Sequence, residues 1–162
     1  MYIHGCTTHG STRSYAAVAR RYAQAIVAGA ILTSDLAIYC PDFSTWPSSW
    51  CGEARDVIPG EQIVAVFTPF LRELLAQQGL SRKTRNLHRD NLWLLGGEII
   101  RDINETPQLR RRSAREFVMQ VVADDEGPLV HGGTSEQAQR SFDLTCKKLS
   151  RFLATHADSN PR

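Results

Sequence analysis

Residues 68–92 read TPFLRELLAQQGLSRKTRNLHRDNL, and their punctuation decides the fold. Thr68 in the N-cap position, Pro69 at the first helical position and Gly79 just past the end frame one helix, with Phe70, Leu71, Leu74 and Leu75 on one face. Ser81 caps a second helix that runs to about residue 103. Its apolar stripe is Leu92, Leu95, Ile99 and Ile103, flanked by Leu87, Leu94 and Ile100. This second helix starts with three cations, Arg82, Lys83 and Arg85. The amino end of a helix already carries partial positive charge, so each uncompensated cation there costs a few tenths to about 1 kcal/mol. An outside anion relieves that cost, because free N–H groups, the dipole and basic side chains together form a phosphate-binding surface.

Working outward, Gly96 and Gly97 lie inside the second helix, where each costs roughly 1 kcal/mol relative to Ala. The pair predicts close approach of another element in preference to a kink. Asn104 to Pro107 break the pattern, and Ser113 with Glu116 forms a capping box ahead of Phe117, Val118, Val121 and Val122. Asp124 to Gly133 is an acidic, Gly-rich loop. Thr134 or Ser135 then starts a last helix with its stripe at Ala138, Phe142, Cys146, Leu149 and Phe152 or Leu153.

Upstream, Tyr15, Val18, Tyr22 and Ile26 draw a helical stripe over residues 14–30. Residues 39–60, YCPDFSTWPSSWCGEARDVIPG, hold three prolines and two tryptophans among Ser and Gly, which suits no long helix or strand. They read as a linker or loosely docked loop, although Phe43, Trp46 and Trp50 are costly to leave in water and are expected to dock. The expected fold is mostly α: a small bundle of four to five helices with an N-terminal helix and an irregular linker. Its divisions are 1–60 (helix plus Pro/Trp/Ser-rich linker, poorly ordered), 61–155 (helical domain) and 156–162 (tail).

A chain of 162 residues is long enough for one domain with a real core. The net charge of +2 is too small to imply nucleic-acid binding, but it hides a local bias. Residues 80–115 hold nine cations (Arg82, Lys83, Arg85, Arg89, Arg101, Arg110, Arg111, Arg112, Arg115) against four anions (Asp90, Glu98, Asp102, Glu105). A polyanion would be steered there. No stretch approaches the roughly 20 apolar residues of a membrane span and no signal-peptide layout is present, so a cytoplasmic location and reduced thiols at Cys6, Cys40, Cys51 and Cys146 are expected.

The run FTPFLRELLAQQGLSRKTRNLHRDNLWLL resembles the N-terminal core-binding, or SAM-like, domain of tyrosine recombinases and phage integrases. The likeness lies in an amphipathic helix, a Gly-Leu-Ser turn, a Thr three residues after the Ser and a Leu eight beyond it: Gly79, Leu80, Ser81, Thr84 and Leu92. It departs at Arg85, where the family usually has an apolar residue, and at His88, where it usually has an aromatic. The resemblance implies a small helical bundle that clamps duplex DNA through basic faces. The family's catalytic Arg-Lys-His-Arg set and nucleophilic Tyr have no counterpart here, so it implies holding DNA and not cutting it. Residues 14–31 are also similar to the leading helix of phage terminase large subunits, without their ATPase Gly-rich loop, which agrees with a mobile-element or prophage origin.

The expected DNA contacts are Arg82, Lys83, Arg85 and Arg89 as one cluster and Arg110, Arg111, Arg112 and Arg115 as a second. Double-stranded DNA is the expected partner; a helical protein–protein or regulatory module, with Trp46 and Trp50 as anchors or with self-association, is the alternative. No catalytic residue, metal or cofactor is expected. His4, Cys6, His9, Cys40 and Cys51 fit no regular zinc spacing. Asp124, Asp125 and Glu126 read as a solvated acidic turn, and no Gly-x-Ser-x-Gly elbow occurs.

Overall fold

The computed structural model describes residues 35–124 and 126–156, and no strand occurs among them. The predicted helix over 14–30 and the tail from 157 lie outside the described residues. After a helical turn over 35–39, the chain forms a short α1 (Trp46–Trp50), then α2 (Val57–Ala76), α3 (Arg82–Glu105), α4 (Ala114–Val121) and α5 (Glu136–Thr155). Three 3-10 turns connect them, at Phe43–Thr45, Ala54–Asp56 and Pro107–Arg111. The expected small helical bundle is what the chain builds.

Local caps act where they are read. Ser81 Oγ accepts the Thr84 N–H at 3.1 Å, Ser135 Oγ accepts the Ala138 N–H at 3.2 Å, and Ser113 with Glu116 forms the reciprocal capping box. Each satisfies N–H groups that a helix start otherwise leaves unpaired. Gly79, at φ 96°, takes the left-handed conformation that turns the chain from α2 into α3. The apolar stripes meet in one core containing Phe70, Leu71, Leu74, Leu92, Leu95, Ile99, Phe117, Val118, Phe142, Leu149 and Leu153.

Two expectations are corrected. Thr68 is not an N-cap, and Pro69 lies inside α2, which begins twelve residues before it at Val57. Thr68 Oγ1 instead donates back to the Val64 carbonyl at 2.8 Å. A proline inside a helix costs about 3 kcal/mol. Ile63 and Phe67, which extend the stripe upstream and are 1% and 0% exposed, offset that by about 1.5–3 kcal/mol apiece. Tertiary burial overrides the local stop signal.

The linker is the second correction. Residues 40–56 are docked into the same core, with Cys40, Trp46 and Trp50 buried in the one cluster that also holds Ile63 and Ile99. Trp50 answers the expectation raised by the paired glycines: a Cβ at Gly96 would stand 2.2 Å from the Trp50 ring. Only glycine lets the indole lie on the helix backbone there.

A polar seam sets the register of α3 against α5. His88 Nδ1 and Thr145 Oγ1 are 2.9 Å apart, while Asn91 Nδ2 donates to Thr145 Oγ1 at 2.9 Å and to the Ser141 carbonyl at 3.0 Å. Partners rise along one helix as they fall along the other, so the two run antiparallel. Burial, and then the charge of Lys148, lowers the His88 pKa, which keeps the imidazole neutral in this seam.

Candidate nucleic-acid interface

The eight cations expected to face DNA divide sharply. Arg85 bends back from the first turn of α3 to the end of α2, where its Nε donates to the Leu74 carbonyl at 3.2 Å and its Nη2 to the Gln77 carbonyl at 2.9 Å. Those carbonyls lie at a helix carboxyl end, where the dipole favours a cation. Arg115 serves α5 the same way, its Nη2 donating to the Leu153 and His156 carbonyls at 2.9 and 3.1 Å. In each case an arginine near the start of one helix caps the end of another.

Arg110 is drawn further in. Its Nη2 meets Asp56 Oδ1 at 2.6 Å, it also bonds Asn104 Oδ1, and its Nη1 donates to the Arg55 carbonyl at 3.1 Å. Asp56 is fully buried, and its Oδ2 accepts from the Gly52 and Glu53 N–H groups and from Asn104 Nδ2 at 3.1, 2.9 and 3.1 Å. Burial alone would raise this carboxyl, but the bonds from Arg110, Asn104 and Glu53 outweigh it and hold the pKa at about 2. Arg89 is spent as well: it pairs with Asp90 at 2.7 Å, donates to the Tyr39 carbonyl at 3.1 Å and stands 5.8 Å from the Tyr39 ring centre. Tyr39 in turn donates its hydroxyl to the Arg85 carbonyl, and burial lifts its pKa to about 12.

Arg82, Lys83, Arg111 and Arg112 are exposed. Arg112 bonds Gln120 Oε1, whereas Arg82, Lys83 and Arg111 turn no side-chain bond toward the described fold. The first turn of α3 contains no acidic residue. The members of the basic clusters left exposed are therefore one pair at the amino end of α3 and one just beyond its carboxyl end, and they do not converge on a single pocket.

Both departures from the recombinase pattern, Arg85 and His88, are used inside the fold, one as a cap and one in the α3–α5 seam. Among the described residues no group of His, Cys, Asp and Glu gathers as a metal site. Cys40 is buried and its thiol is pushed up to about 12, first by burial and then by its bond to Asp42, while Cys51 Sγ donates to the Pro47 carbonyl at 3.1 Å. His4, Cys6, His9 and Asp125 lie outside the described residues. No described helix is long and apolar enough to cross a membrane.

One surface residue went unnoticed in the sequence. Trp93 is 40% exposed and fixed by a 3.0 Å bond from its Nε1–H to Ser49 Oγ. Its signal was its position off the Leu92–Leu95–Ile99 stripe. Trp46 and Trp50, the anchors of the alternative reading, are 2% and 8% exposed and lie in the core, where they were also expected to dock. No protein-family model, curated protein or solved structure matches the chain.

Proposed function

We propose that the chain is a non-catalytic module that binds duplex DNA through its phosphates, as its recombinase-like helix punctuation suggests. Arg82 and Lys83 make the principal contacts and Arg111 and Arg112 a second set. The reading rests on one observation: Arg82 and Lys83 stand exposed in the first turn of α3, against its dipole, with no side-chain bond to the described residues. Phosphates would complete that end of the helix. The 24 residues of α3 span about 36 Å at 1.5 Å per residue. A turn of B-form duplex is about 34–36 Å, so α3 itself is about as long as one duplex turn.

Salt-titrated binding to a short duplex tests the reading, with heparin as a non-nucleic control. Removing two phosphate contacts by Arg82→Gln with Lys83→Gln should flatten the log–log salt slope by about 1.8, and Arg85→Gln should leave it alone. A double variant that keeps the parent slope would overturn the proposal.

A further inference from the structure

A groove of about 310 Å³ runs between the 3-10 turn and α1 on one side and α3 on the other, lined by Asp42, Trp46, Arg89, Asp90, Trp93 and Leu94. Its character is the reverse of the DNA-facing ends. Arg89 is the one basic residue in its wall, and that guanidinium is already taken by Asp90 and the Tyr39 carbonyl. The exposed Asp42 carboxylate has a 3.4 Å contact from the Cys40 thiol, a weak donor. Trp93 presents an indole ring fixed at its N–H end by Ser49, so ordering it costs an incoming ligand little. In the wall beside it, the buried Trp46 indole N–H has no acceptor among the described residues.

We propose that this groove receives an arginine side chain offered by a protein partner. The planar guanidinium lies on the Trp93 face and donates to the Asp42 carboxylate. Arginine fits better than lysine, because a flat, weakly hydrated cation stacks on an aromatic ring and forks onto a carboxylate, whereas an ammonium does neither as well. Trp and Arg are also among the residue types enriched at binding hot spots. The groove is independent of the DNA-binding reading, since it lies at neither exposed basic set.

Tryptophan fluorescence tests it on the full chain. The three tryptophans are Trp46, Trp50 and Trp93, and the first two are buried, so quenching by acrylamide reports Trp93. A blocked Arg-rich nonapeptide should protect that fluorescence saturably, and its Lys counterpart should bind several-fold more weakly. Asp42→Asn should weaken the Arg peptide about tenfold, while the salt slope on duplex DNA stays at the parent value. Trp93→Leu, followed by calorimetry, should abolish peptide binding with the fold intact by circular dichroism. Absence of saturable protection, equal binding of the Lys nonapeptide, or protection that follows protein concentration through self-association would each overturn the proposal.

Discussion

Arg82 and Arg85 stand three positions apart on the same helix, yet one faces water and the other holds the carboxyl end of α2. The region beyond the far end of α3 repeats the division: Arg111 is exposed while its neighbour Arg110 reaches a carboxylate that no water touches. In both regions the same residue type, in the same charge run, divides between building the molecule and presenting charge to the outside. A basic run is therefore an upper bound on a binding surface. What remains after the internal carbonyls and carboxylates have taken their share is the surface itself.

The largest test of this division is Arg110→Ala. It strands a buried carboxylate, and breaking a buried pair from one side costs about 3–5 kcal/mol. Asp56 keeps three other donors, so the low end, about 3 kcal/mol by urea denaturation, is expected. The acid limb of stability gives a second readout. Asp56 titrates lower folded than unfolded, so its contribution is full above about pH 4 and fades as pH falls toward 2. Asp56→Asn should flatten that limb. A loss below 1 kcal/mol on removing Arg110 would place it with the exposed set.

Next in size are the two glycines under Trp50. Gly96→Ala drives a methyl into the indole and should cost about 1–3 kcal/mol through overpacking. Gly97→Ala places its methyl at 3.5 Å from the Trp50 ring, an ordinary contact, and should stabilise by up to about 1 kcal/mol as a helix interior gains Ala for Gly. Opposite signs at adjacent positions, read as shifts in Tm, would confirm that Trp50 rests on one of them alone.

These cases mark what could be read without a structure. The caps at Ser81, Ser113 and Ser135 were legible because each acts on an N–H three residues away, within one turn of chain. The pairing of Trp50 with Gly96 was half legible: an indole too costly to leave in water and a helix too costly in glycine both asked for a partner, but nothing local said they were each other's. Pro69 misled because its local cost is smaller than the burial of Ile63 and Phe67. The internal partners of the arginines were the least legible. Arg85 finds its carbonyls 8 and 11 residues back, Arg115 finds its own 38 and 41 residues ahead, and Arg110 meets an acid 54 residues away. Charge can be counted along a sequence, but where a guanidinium ends up is a property of the packed molecule.

Arg85→Ala is the intermediate test. It removes two charge-assisted bonds to the end of α2 and should cost about 1–2 kcal/mol, with the DNA salt slope unchanged. Arg115→Ala should behave alike at the end of α5. Stability intact with DNA affinity lost, in either variant, would move that arginine to the outer set.

The smallest stability effect is the most discriminating, because its sign is opposite to its effect on binding. Replacing Arg82 and Lys83 by Glu puts carboxylates at the amino end of α3, where the dipole and free N–H groups favour them. Stability should rise by a few tenths of a kcal/mol for each. The same change should sharply weaken duplex binding by turning two phosphate contacts into repulsions. A fold-supporting residue loses stability and function together; a residue kept for an outside anion trades one for the other. A rise in Tm alongside a loss of affinity is what separates the outer cations of α3 from the inner ones, and a fall in both would mean that Arg82 and Lys83 belong with Arg85 after all.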